Sequence, residues 1–120
     1  MRKKVLLVDD SETMRTLGRD ALSPHYDVLL AEDGRSSLEV AQRERPDLIL
    51  MDLLMPGLNG LEACRLLKRL PETKHIPVVM ITTAAAKVHF REALIAGCHD
   101  YVEKPVDAIE LVARVRALVG

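Results

Sequence analysis

Five polar residues are set against apolar runs: Asp9, Asp10, Asp52, Thr82 and Lys104. Val5-Leu6-Leu7-Val8 leads into Asp9-Asp10, and Leu48-Ile49-Leu50-Met51 leads into Asp52. Val78-Val79-Met80-Ile81 leads into Thr82, and Tyr101-Val102-Glu103 into Lys104. Three carboxylates in one pocket repel each other, which raises the cost of ionising all of them. A hard divalent cation relieves that repulsion. Mg²⁺ takes oxygen ligands in an octahedron, keeps several waters, and uses one or two carboxylates plus phosphate oxygens. Zinc wants His and Cys, and neither His25, His75, His89 and His99 nor Cys64 and Cys98 have metal-site spacing. Lys104 adds a compact positive charge for a phosphate oxygen, and Thr82 a hydroxyl for another. Phosphoryl transfer needs mainly this kind of positioning and charge neutralisation. A carboxylate nucleophile that becomes an aspartyl phosphate is known chemistry. Asp52 is therefore the candidate phosphoryl acceptor.

The elements that must position these residues alternate between strand and helix. An unbroken aliphatic run such as 48–51 suits a strand buried on both faces, as in a parallel sheet. Val5 to Val8 reads as the first strand, and Ser11 can cap a helix striped by Met14, Leu17, Gly18 and Ala21. Pro24 ends that helix. Tyr26 to Ala31 reads as the second strand, with Asp27 arguing for an edge position. Asp33-Gly34 turns into a helix around Ser36 to Arg43 with a weak stripe of Leu38 and Ala41, broken by Pro46 and Asp47. After Asp52, the residues Pro56, Gly57, Asn59 and Gly60 turn the chain.

Asn59 with Glu62 resembles a capping arrangement for a third helix striped by Ala63, Leu66, Leu67 and Leu70. A helix from Lys87 to Ala96 is predicted to bury Phe90, Ala93 and Leu94, with Gly97 in its C-terminal left-handed position. Asp107 caps a last helix whose inward residues are Ala108, Leu111, Val112 and Val115. Strict alternation implies a parallel sheet with helices on both faces. All C-terminal strand ends then share one edge, where ligands of such sheets bind. Residues far apart in sequence converge there.

Composition sets the outer bounds. The chain has 120 residues, 48% apolar and 29% charged, and a net charge of −1. It is long enough to bury a core without staples and reads as one domain, 1–120. The near-balance of charge implies no direct binding to nucleic acid or to an anionic membrane. The two cysteines read as small buried hydrophobes in a reducing compartment. Met1-Arg2-Lys3-Lys4 precedes an apolar run that stops after four residues, too short for a secretory segment. A cytoplasmic location is expected.

The ordered set resembles a known family. Leu7-Val8-Asp9-Asp10 with Thr13-Met14-Arg15, Met51-Asp52 with Met55-Pro56 and Gly60, and Met80-Ile81-Thr82 all match the receiver domain of two-component response regulators. So does Gly97 through Asp100-Tyr101-Val102 to Lys104-Pro105. The resemblance spans essentially the whole chain. It implies a flavodoxin-like (CheY-like) α/β fold, doubly wound (βα)5, with strand order 2-1-3-4-5. It implies that Asp52 is phosphorylated by a sensor histidine kinase or a histidine phosphotransfer protein. Asp9 and Asp10 would hold Mg²⁺ with Asp52 and the backbone carbonyl of Leu54. Lys104 would bridge to the phosphoryl group, with a cis peptide bond to Pro105. Thr82 would move toward the phosphoryl oxygen and Tyr101 would turn inward, remodelling the face of the fourth helix, fifth strand and fifth helix. The implied partners are a kinase and a downstream effector or output domain, with a phosphorylation-dependent homodimer also allowed.

Several positions depart from the commoner family pattern. Thr83 stands where alanine is frequent, and its bulk is expected to narrow access to Asp52. Leu54 and Ala84 occupy two positions that influence how an attacking water is placed. Both are apolar, so slow self-dephosphorylation is expected. Val106 replaces an aromatic residue often found after Lys-Pro. Two other readings stay open. A Mg²⁺-dependent phosphatase or phosphotransferase acting on external substrates through Asp52 lacks a cap domain and a second acid at Leu54. A flavin binder lacks phosphate-binding loops after the first strand, and the chain has no Trp. The receiver is either a stand-alone regulator or a part of a longer one.

Overall fold

The structure is a computed structural model that describes residues 2–120. Its elements run β1 Lys4–Val8, α1 Glu12–Leu22, β2 Asp27–Ala31, α2 Gly34–Glu44 and β3 Leu48–Asp52. They continue as α3 Gly60–Arg69, β4 Val78–Thr82, a 3-10 turn Ala86–His89, α4 Phe90–Ala96, β5 Asp100–Glu103 and α5 Ala108–Val119. The five strands are all parallel, in the order β2-β1-β3-β4-β5. This is the flavodoxin-like α/β order expected from the sequence.

Both faces of the sheet are covered, which is why the central strands read as unbroken aliphatic runs. Alternate residues go to opposite sides. Leu48 and Leu50 of β3 pack with Met14 and Leu22 of α1 and with Leu111 and Val115 of α5. Ile49 and Met51 pack with Ala41 of α2, Ala63 and Leu67 of α3 and Ala93 of α4. Every residue of β3 and β4 is buried, whereas the edge strand β2 is half open.

The helix starts are set by side-chain caps. Ser11 accepts from the Met14 amide, Asp33 from Ser36, Asn59 from Glu62, and Asp107 from Ile109 and Glu110. Each cap satisfies backbone donors that have no partner inside the helix. Gly97 closes α4 with φ 109°, in the left-handed region.

Several expectations need correction. Tyr26 is buried in the core but precedes β2, which starts at Asp27. Leu17, Leu66, Leu94 and Ala108 lie on exposed surfaces, while Leu22 and Cys64 take buried places instead. Each helix touches the sheet along a narrow strip, so the outer members of an apolar stripe reach solvent. The segment from Lys87 is not one α-helix. Its first turn is 3-10, and α4 proper begins only at Phe90.

Candidate functional site

Asp9 follows β1 at the C-terminal edge of the sheet and is fully buried, at 0% exposure. Its backbone amide donates to the Ala31 carbonyl, which extends the β1–β2 pairing by one residue. Its Oδ1 accepts from the Ser11 amide at 2.9 Å, so the carboxylate helps to turn the chain into α1. Asp10 is exposed beside it. Asp52 closes β3 and is 5% exposed. Its Oδ1 accepts from the Leu54 amide at 3.3 Å, and its chain neighbour Leu53 donates to the Ile81 carbonyl of β4. Carboxylate oxygens of Asp9, Asp10 and Asp52 all lie within 4.8 Å of one another.

Lys104 arrives from the far side of the sheet, just after β5. Its amide donates to the Thr82 carbonyl at 2.6 Å, and its peptide bond to Pro105 is cis. The Nζ stands 3.1 Å from Asp9 Oδ2 and 3.4 Å from Asp52 Oδ2. It hydrogen-bonds Asp52 and ion-pairs with the fully buried Asp9 carboxylate. Three carboxylates facing one ammonium leave an excess of negative charge. That excess fits a divalent cation with oxygen ligands, and the donor set suits Mg²⁺ rather than zinc.

The electrostatics follow from this crowding. Burial, then the neighbouring Asp9 charge, push the Asp52 carboxyl up from 3.8 to about 6, against the pull of Lys104 and the Leu54 amide. Burial disfavours the Lys104 ammonium, but the carboxylates of Asp52 and Asp9 outweigh it and hold its pKa above the ordinary lysine value. Lys104 therefore stays charged, and Asp52 is a carboxylate near neutrality.

The structure thus brings Asp9, Asp10, Asp52 and Lys104 together. Thr82 closes β4 next to them and is buried, but its hydroxyl donates to the Thr83 carbonyl at 3.2 Å rather than to the acids. The Thr83 hydroxyl accepts from the Ala86 amide at 3.1 Å, tying the end of β4 to the first residue of the 3-10 turn. Leu54 is 52% exposed beside Asp52. Tyr101 sits apart on β5, partly buried against the core, with its ring edge-on to Phe90 at 4.6 Å.

Two residues take part that chemical reasoning on the sequence did not single out. Arg15 donates from Nη1 to the Asp9 carbonyl at 2.6 Å, bracing the loop that carries two of the acids. It lies in the first turn of α1, and its place in the Thr13-Met14-Arg15 stretch of the family resemblance was the signal for it. Gly60 starts α3 directly against the end of β3, where an added Cβ would stand 2.1 Å from the Asp52 carbonyl oxygen. Only glycine permits that approach.

A family model described as the response regulator receiver domain matches residues 5–116. The chain is 42% identical over 119 residues to the response regulator PleD of Caulobacter vibrioides, covering 98% of this chain and 26% of PleD. It thus spans about a quarter of that relative's length. It is 38% identical over 118 residues to PilH of Pseudomonas aeruginosa, covering 98% of each. The receiver domain of a Pseudomonas aeruginosa sensor histidine kinase, solved with a magnesium ion coordinated in its active-site cleft, superposes with a TM-score of 0.90 at 31% identity. That match covers 100% of this chain and 99% of the other.

Proposed function

The chain belongs to the response regulator receiver domains, the phosphorylation-activated switches of two-component signalling, and from that premise we propose that Asp52 is its phosphoryl acceptor. The carrying observation is the placement of Asp52 at the end of a fully buried strand, among two further acids and one ammonium. Receiver domains generally bind Mg²⁺ at such an acidic pocket. Here Asp9, Asp10, Asp52 and the Leu54 carbonyl would hold it. When bound, the ion supplies neutralisation of the carboxylates and of the incoming phosphoryl oxygens.

An Asp52 carboxylate oxygen attacks the phosphorus of a phosphohistidine. The P–N bond breaks, its electron pair returns to the imidazole nitrogen, and that nitrogen takes up a proton. Lys104 needs little movement to pair with a phosphoryl oxygen, since its Nζ already stands 3.4 Å from Asp52. The Thr82 hydroxyl exchanges its bond to the Thr83 carbonyl for one to another phosphoryl oxygen. Tyr101 then turns inward and changes the face made by α4, β5 and α5. The new charge and acceptor oxygens favour only the arrangement that can bind them, so the population shifts.

Receiver domains act with histidine kinases and output domains. For this chain the donor is a sensor histidine kinase or a histidine phosphotransfer protein, and the recipient of the signal an effector protein or output domain. Among the described residues no helix is long and apolar enough to cross a membrane, and the proposed location is the cytoplasm. Receiver domains are signalling switches. In this reading the chain catalyses only its own phosphorylation and dephosphorylation. The family match favours the switch over a phosphatase acting on external substrates.

The experiment is intact mass after incubation with acetyl phosphate and Mg²⁺, on wild type and Asp52→Asn. A phosphoryl adduct is expected on wild type alone. An undiminished adduct on Asp52→Asn overturns the assignment.

A further inference from the structure

The 3-10 turn between β4 and α4 carries a contact that the phosphoryl chemistry does not use. At one end of this segment Thr82 lies beside the acids and bonds the Thr83 carbonyl, and the Thr83 hydroxyl accepts from the Ala86 amide. Ala86 is buried in the core, which fixes where the turn lies. At the other end Lys87 and Phe90 both meet Tyr101. The Lys87 Nζ stands 5.0 Å from the Tyr101 ring centroid and 3.3 Å from Glu103 Oε1 on the same strand, β5. Phe90 meets the ring edge-on at 4.6 Å. One short segment thus joins the residue proposed to sense the phosphoryl group to the ring proposed to report it.

We infer that Lys87 is a positioning residue that, with Glu103, clasps Tyr101 in its partly buried resting place and thereby sets how readily the domain reaches its active arrangement. This rests on the reading of Asp52 and Tyr101 given above. The cation over the ring acts only while Tyr101 keeps its place beside Lys87, and the ion pair to Glu103 holds the cation there. Inward movement of the ring surrenders the first and leaves the second in water. Both are partly solvated, with Lys87 and Glu103 each 45% exposed, so their combined weight is modest. A modest bias is what a switch requires, because a strong one would leave it unresponsive.

The chain has two tyrosines and no tryptophan, so a Tyr26→Phe background leaves Tyr101 as the only strong intrinsic fluorophore. In that background, acrylamide quenching of the metal-free, unphosphorylated protein reports the exposure of Tyr101 directly. Lys87→Ala is expected to lower the quenching constant, because the ring moves inward more often. The same variant is expected to speed acetyl phosphate labelling of Asp52 by about threefold. Glu103→Gln moves both readouts in the same direction, the double variant adds little beyond Lys87→Ala, and Lys87→Arg restores wild-type behaviour. A quenching constant that stays the same or rises in Lys87→Ala overturns the clasp, since a rise means only that a cover was removed from an outward ring. Failure of wild type itself to label at Asp52 overturns the phosphoryl-acceptor reading instead.

Discussion

At the scale of single residues, Asp52 is expensive to keep in the absence of a cation. Its pKa in the folded protein is raised from 3.8 to about 6 by burial and by the Asp9 charge. A carboxyl raised in this way binds its proton more tightly when folded. The stabilisation is therefore complete below about pH 4 and lost as the pH rises through about 6. Above that, ionised Asp52 weighs against the fold. Asp52→Asn removes the charge and keeps the shape, so in EDTA at pH 7.5 it is expected to raise Tm by about 3–8 °C. The gap should close as the pH is taken below about 4. Equal melting points at pH 7.5 would show that Asp52 bears no such cost. Leu54 belongs to the same scale. It lies half-exposed beside Asp52 and has no group to orient a water, and Ala84 has none either. The aspartyl phosphate is expected to last minutes or longer after the donor is removed, and Leu54→Asn to shorten it. Loss of the adduct within seconds in wild type would refute this.

At the scale of elements, the acids are placed by how β3 hands over to α3. Gly60 lets α3 start against the Asp52 carbonyl, where a methyl group would stand 2.1 Å from that oxygen and 3.0 Å from the Leu53 Cα. The atoms it meets are backbone and cannot rotate aside. Gly60→Ala is expected to cost about 1–3 kcal/mol and to slow labelling of Asp52 beyond what lost stability explains. Gly18→Ala is the control, because its Cβ meets only Leu7 side-chain atoms, the nearest at 2.3 Å. It should lower Tm without changing the labelling rate of the folded fraction. Equal labelling by both variants and wild type would refute the placement role. The sequence made Gly60 visible as a turn residue but not this contact, which depends on two backbones meeting in space. The buried runs of β1, β3 and β4 were legible because nothing interrupts them, and the caps because Ser, Asp and Asn stand where helices begin. The start of α4 was not. Ala84-Ala85-Ala86 has no polar side that would set a period, so nothing local distinguishes a 3-10 turn from the first turn of an α-helix. The rotation of α1 and α3 about their axes was equally hidden, since Leu17 and Leu66 are as apolar as the residues that are buried.

At the scale of the whole molecule, the site exists only when the sheet is complete. Asp9 follows β1, Asp52 ends β3 and Lys104 follows β5, so ligands and counter-charge come from opposite ends of the chain. An unfolded chain offers no comparable cluster, so a cation bound here stabilises the fold by linkage. Mg²⁺ at about 100 times its dissociation constant adds about 2.7 kcal/mol. For a domain of this size that is on the order of 10 °C in Tm. Relief of the charge crowding that raises the Asp52 pKa is part of the same gain. Asp52→Asn, which lacks that crowding, should therefore gain less from Mg²⁺ while starting from a higher melting point in EDTA. Asp9→Asn removes the fully buried acid of the cluster, and should gain least. The same titration with Ca²⁺ should give a smaller shift, since Ca²⁺ wants more and longer oxygen contacts than these acids and one carbonyl provide. Melting curves for the three proteins across a Mg²⁺ series test the point. Parallel shifts in all three would mean that the ion binds elsewhere, because only a site built from Asp9 and Asp52 makes the gain depend on both.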